Sequence, residues 1–199
     1  MRTKKYKIVL FPILSLFLAI NLVSCSLGTS IETEKITENI NYEVQTITHD
    51  NFTYEIPADW DGITFDGAAN GQVVYAPKDA DINNGTSSVN IIITNTNSKA
   101  SKLKDFNTSK SQSQLETQLN EKFSNGASNF EYKNYSTDSY DVFSISYDIS
   151  YEDVSLHLTQ YNILVDNYTV LVTATNNKDG INPSPEDVAK RIVNSFKTK

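Results

Sequence analysis

Phe143-Ser144-Ile145-Ser146-Tyr147-Asp148-Ile149-Ser150-Tyr151 is the stretch on which the fold turns. Apolar and polar residues alternate strictly along it, the period of a strand with one face in a core. On a helix the same apolar residues would be scattered around the axis. Downstream, 155–165 and 168–175 are rich in β-formers and are parted by Asp166-Asn167, a pair suited to a two-residue hairpin turn. Upstream, Phe52, Tyr54 and Ile56 alternate with Thr53 and Glu55 before Pro57. His49-Asp50-Asn51 reads as a turn, so 44–56 is expected to be a hairpin. Val73 to Ala76 is a short apolar run closed by Pro77, and Val89, Ile91 and Ile93 alternate with Asn90, Ile92 and Thr94.

Two helices interrupt this strand pattern. Ser111 with Gln114 fits a capping box, and Leu115, Leu119 and Phe123 follow as a narrow apolar stripe. Asn125-Gly126 is expected to stop that helix in a left-handed turn. Ser184-Pro185-Glu186-Asp187 supplies an N-cap, a proline for the first helical position and acids for the positive end of the dipole. Val188, Ile192 and Phe196 form the buried stripe behind it. Strands joined by short turns, with two separate helices and no βαβ rhythm, predict one α+β domain around a mainly antiparallel sheet.

The start of the chain has a different character. Arg2, Lys4, Lys5 and Lys7 precede an apolar run from Ile8 to Ile20. That order is a secretory signal peptide, and the run is short for a membrane-spanning helix, which needs roughly 20 apolar residues. Leu22-Val23-Ser24-Cys25 resembles the bacterial lipobox. The resemblance implies cleavage between Ser24 and Cys25 and a diacylglyceryl group on the Cys25 sulfur. Two acyl chains suffice for stable attachment where one is marginal.

With residues 1–24 removed, 13 basic residues face 24 acidic ones, a net charge of -11. Such a chain is a poor ligand for nucleic acid, whose phosphates demand a positive footprint. Cys25 is the sole cysteine, so no intrachain disulfide forms. Residues 25–43 hold Glu32, Glu34, Glu38 and Glu43 against Lys35 and keep no secondary-structure period. They are expected to be a flexible acidic tether, holding a domain at 44–199 away from an anionic lipid surface.

Phe52-Thr53-Tyr54-Glu55-Ile56-Pro57-Ala58-Asp59-Trp60 resembles the opening strand and Pro-x-x-Trp corner of PsbP-like domains, relatives of an extrinsic subunit of photosystem II. Ile192-Val193-Asn194-Ser195-Phe196 resembles the end of their last helix. The resemblance covers about 50–196 and implies an α/β/α sandwich. It carries over no catalytic motif, and fold likeness does not transfer function.

Candidate chemistry is sparse. Gly-x-Ser-x-Gly and His-Glu-x-x-His do not occur. His157, between Leu156 and Leu158, is the one histidine placed mid-strand, where it could serve a hydrolase or simply sit on a sheet face. Asp79 and Asp81 stand at the alternate spacing of a calcium loop, but Asn84 and Asn90 occupy the positions where such a loop wants Gly and Glu. Tyr132, Tyr135, Tyr140, Tyr147, Tyr151, Tyr161 and Tyr168 could form a surface for a sugar or a partner, or could serve the core. The expectation is a non-catalytic binding or assembly module of the cell envelope without cofactor or metal. It would be anchored at the extracytoplasmic face of the membrane by lipid on Cys25, with an envelope protein or glycan as partner and no nucleic acid. The alternatives are a cell-surface hydrolase and a calcium-dependent binding domain.

Overall fold

The computed structural model describes residues 31–38, 40–63, 71–80, 87–124, 126–151, 154–177 and 180–199. Strands β1 (Glu34–Lys35), β2 (Val44–His49), β3 (Phe52–Pro57), β4 (Trp60–Ile63), β5 (Gln72–Pro77) and β6 (Ser88–Asn95) come first. Helices α1 (Leu103–Phe106) and α2 (Ser109–Lys122) follow. Strands β7 (Ala127–Ser136), β8 (Asp141–Tyr151), β9 (Val154–Val165) and β10 (Tyr168–Asn176) lead to α3 (Pro185–Ser195) and β11 (Lys197–Thr198).

The main sheet has eight strands in the order β1-β7-β8-β9-β10-β6-β5-β4, antiparallel throughout except where β1 runs parallel to β7. The expected hairpin at 44–56 forms, with Asp50 at positive φ in its turn, but it joins β11 in a separate three-stranded sheet, β11-β3-β2. The 155–175 hairpin turns at Asp166-Asn167, where Asn167 takes a φ of 67°.

Side-chain parity separates two cores. Val142, Tyr161, Ile163, Val172 and Ile91 point toward α3 and the small sheet. Phe143, Ile145, Tyr147, Ile149 and Leu158 point toward α1 and α2. The resulting mixed α+β domain has helices on both faces of one large sheet.

The α3 cap forms as its sequence demands: Ser184 Oγ accepts from the Asp187 N–H at 3.2 Å, with Pro185 in the first turn. Val188, Ala189, Ile192 and Val193 are fully buried behind it. The α2 start differs from expectation. Its N-cap is Thr108, whose Oγ1 accepts from the Ser111 N–H at 3.0 Å while Ser111 Oγ accepts from the Thr108 N–H at 3.2 Å. Ser111 is thus the third-position partner of the box, because a full turn earlier the chain already offers a better-placed hydroxyl.

The α2 end differs too. Ser124, not Gly126, takes the left-handed conformation, with a φ of 52°, and Asn125 lies outside the described residues. Gly126 serves another need: a Cβ there would stand 2.3 Å from the Ser150 carbonyl oxygen.

The segment drawn as a tether is largely part of the domain. Ile31 packs against the α2-side core, Glu34 and Lys35 pair with Tyr135 and Ser136, and Ile36 is buried in the α3-side core. The arm therefore crosses the edge of the main sheet from one face to the other. The two isoleucines offset the ordering entropy that a purely polar segment could not.

Candidate binding site

The residues singled out in the sequence scatter. Ser24 and Cys25 lie outside the described residues, as does Asp81. Asp79 is exposed just past β5, and no group of three His, Cys, Asp or Glu side chains fit to hold a metal occurs among the described residues. Tyr147 and Tyr161 are buried and Tyr132, Tyr135, Tyr140 and Tyr168 half-buried, while the Tyr151 side chain is outside the description. These tyrosines build the core margins, consistent with the preference of strands for side chains that meet both core and water. Burial raises the pKa of Tyr147 and Tyr161 and keeps both phenols neutral. Tyr54 and Tyr75 share a 2.7 Å hydrogen bond that ties the small sheet to the large one.

His157 has an orienting carboxylate. It sits directly across from Asp148 in the β8–β9 register, with Nδ1 2.7 Å from Asp148 Oδ1. Asn129 Nδ2 donates to the other carboxylate oxygen at 2.8 Å. The next pair on the same face, Ser146 and Thr159, spends its hydroxyls on each other at 3.1 Å. No hydroxyl lies within hydrogen-bond distance of His157 Nε2 among the described residues. Among the described residues the group has a base and its orienter without a nucleophile beside them.

Ser101 and Lys104 stand at the Ser-x-x-Lys spacing of one hydrolase class. That spacing aims the lysine at the hydroxyl when both lie on one turn of helix. Here α1 begins at Leu103, so Ser101 precedes the helix and the shared turn is missing.

A cleft of about 460 Å³ opens at one end of the main sheet. Three connections converge there: the β6–α1 loop, the β7–β8 turn and the β9–β10 turn. Ser101, Lys102, Thr137, Tyr140, Asp141 and Asp166 line it. The loop is stitched to the hairpin turn by Thr96 N–H to the Asn167 carbonyl at 2.8 Å, Asn167 N–H to the Ser98 carbonyl at 2.6 Å and Ala100 N–H to Asp166 Oδ1 at 2.9 Å. Hydroxyls, both signs of charge and one aromatic ring suit a polar ligand held by hydrogen bonds. No motif could reveal this site, because its lining comes from three segments that are separate in the chain.

On the α3 side, Arg191 clasps the arm. Its Nη1 donates to Glu38 at 2.8 Å and its Nη2 to Glu55, while Asn194 Nδ2 donates to the Ile36 carbonyl at 3.2 Å. Burial disfavours the guanidinium charge, but the bonds to Glu55 and Glu38 outweigh it and raise the Arg191 pKa. Tyr42 beside them is pushed up to about 12, by burial first and then by Glu38 and Asp187.

A family model described as PsbP matches residues 41–198. Among solved structures the chain is similar to the solution structure of cyanobacterial PsbP (CyanoP) from Synechocystis sp. PCC 6803. The TM-score is 0.57 at 14% identity, covering 89% of this chain and 99% of that one. It is also similar to the crystal structure of LpqN, described as involved in cell envelope biogenesis of Mycobacterium tuberculosis. There the TM-score is 0.52 at 12% identity, covering 80% of this chain and 93% of that one. At these identities the likeness is one of fold. No curated protein matches the chain.

Proposed function

The chain belongs to the PsbP family, and on that premise we propose that it is a lipid-anchored, non-catalytic binding or assembly module of the cell envelope. The observation that carries this reading is Leu22-Val23-Ser24-Cys25, its cysteine six residues ahead of Ile31, the first described residue of the arm. An exported chain with its only cysteine at the lipobox position is built to be acylated there. The likeness to LpqN, a protein described by its part in envelope biogenesis, supports the same compartment. Ligand or partner binding falls to the cleft bordered by Ser101, Lys102 and Tyr140. Cys25→Ala is expected to release the protein from membranes or leave it unprocessed, read by fractionation and by the mass of the N-terminal peptide. Unchanged retention with an unmodified Cys25 would sink the reading.

A hydrolase is the second reading, and the His157–Asp148 pair is its one supporting observation. It requires a substrate that brings its own nucleophile, or water, to Nε2. Hydrolysis of an ester, glycoside or peptide that His157→Ala abolishes without loss of fold would favour it. A blank screen disposes of it.

A further inference from the structure

We propose that the α1–α2 side of the domain lies against an anionic lipid surface, with Lys99, Lys102, Lys104 and Lys110 as the contact. The proposal rests on the lipid anchor at Cys25 and adds an orientation to it. Its first support is where the arm packs on the domain. Ile31, the first described residue, packs on the α2 side against the core formed by Leu103, Phe106, Leu115 and their neighbours. Cys25 is six residues upstream. Six residues span at most about 21 Å, roughly two helix diameters. The lipid is therefore held close to this side, and the long stand-off expected from a tether reaching to residue 43 does not apply.

Charge supplies the second support. Segment 99–122 carries five lysines against Asp105, Glu116 and Glu121, a net charge of +2. The rest of the chain from Cys25 onward holds 8 basic and 21 acidic residues, net -13. Lys99, Lys102 and Lys110 are exposed, on the β6–α1 loop, at the cap of α1 and in the first turn of α2. Glu32 and Glu34 are exposed on the arm, and Asp105, Asp141 and Asp166 stand among the lysines, the last two lining the cleft beside Lys102, so four lysines against three aspartates leave this corner close to neutral in an otherwise acidic domain. An anionic bilayer repels the acidic remainder more strongly than this corner, which favours the orientation that turns the four lysines toward the lipid.

Amine footprinting tests the orientation. The chain from Cys25 onward, which holds every described residue, is coupled through its single thiol to a maleimide phospholipid in vesicles. Acetylation of each lysine is read by mass spectrometry. With roughly 30 mol% phosphatidylglycerol, labelling of Lys99, Lys102, Lys104 and Lys110 should fall several-fold against phosphatidylcholine vesicles, and the protection should fade in about 0.5 M salt. Lys78 and Lys197 should label equally on both. Equal labelling of all lysines on the two vesicles, or protection centred on Lys78 or Lys197, overturns the proposal. Lys99→Gln with Lys102→Gln and Lys110→Gln should abolish the residual protection of Lys104 while the circular dichroism stays unchanged. The mass of the natively processed N-terminus is measured separately. An unmodified Cys25 there defeats native anchoring, while the footprint of the chemically tethered chain still judges the orientation.

Discussion

On its α3 side the main sheet meets a capped helix with four fully buried apolar residues and a small sheet that adds Phe52, Tyr54, Ile56 and, at the neighbouring corner, Trp60. On its α2 side the helix buries only Ser111, Leu115 and Leu119. The sheet beneath that side also carries an internal polar row. Asn90, Thr173 and Gln160 are register partners across β6, β10 and β9, and all three are buried. Both side-chain polar atoms of Asn90 and the Gln160 carbonyl have no hydrogen-bond partner among the described residues. Buried polar atoms without a partner among the described residues occur on both sides, Trp60 Nε1 and Arg191 Nε on the α3 side included, so the faces differ in how much apolar area they bury and in the polar row itself. The difference teaches where each kind of residue is used. Apolar area concentrates on α3, where it holds the fold together. Lysines and the open cleft gather around the β6–α1–α2 corner, where the molecule meets its surroundings.

The comparison breaks first on core truncations. Ile192→Ala, behind the α3 cap, is expected to cost about 3–4 kcal/mol, and Leu115→Ala on α2 about 2–3 kcal/mol, read by urea unfolding. Equal losses, or a larger one at Leu115, would remove the distinction between the faces.

Alkaline titration tests burial on both faces, since Tyr132 and Tyr147 on the α2 side are raised by burial as well. The phenols of Tyr42, Tyr54, Tyr75 and Tyr161 on the α3 side all have raised pKa values, chiefly through burial, with Tyr42 at about 12 against an ordinary 10.0. Above pH 10 the unfolded chain has released these protons and the folded chain still holds them. Stability present below pH 10 is then lost as pH rises through 12. Phenolate absorbance should appear together with unfolding in that window; ionisation ahead of unfolding would contradict the burial.

Arg191→Leu leaves Glu38 and Glu55 without their counter-charge. The expected cost is about 2 kcal/mol, discounted because the group is partly solvated. Hydrogen exchange should quicken at Ile36 and stay unchanged in α2, since the clasp holds the arm on the α3 side alone. Asn90→Leu should change stability in the opposite direction. Replacing an unpartnered buried amide with an apolar group of similar volume is expected to add about 1 kcal/mol. A loss instead would mean that the amide has a bound partner on the α2 side. Smallest, Thr108→Ala should cost about 1 kcal/mol by uncapping α2.

Much of this architecture is legible residue by residue. Ser184 to Asp187 specifies a helix start through three independent local signals, and the structure repeats each one. The strict alternation from Phe143 to Tyr151 places β8, and Asp166-Asn167 turns the hairpin beside it. The α2 cap lies one turn ahead of the position that the sequence predicts because Thr108 and Ser111 are equivalent as hydroxyls, and only the direction of the incoming chain selects between them. The arm is illegible in the sequence for a different reason. Its polar run around Glu34 and Lys35 carries no period, and single isoleucines at 31 and 36 become anchors only when two finished cores stand ready to receive them. The cleft left no trace, since its walls are loop tips whose residues are ordinary turn formers.

By itself the sequence determined the local elements, the antiparallel α+β class and the position of the one cysteine, because caps, turns and alternation act over a few residues. Tertiary structure decided that the first hairpin would leave the main sheet, that Ile31 and Ile36 would straddle the sheet edge, and that Lys102, Tyr140 and Asp166 would meet in one cleft. Those outcomes depend on contacts between segments up to 158 residues apart, such as Asn194 with Ile36. Their energies exist only once the sheet has been assembled.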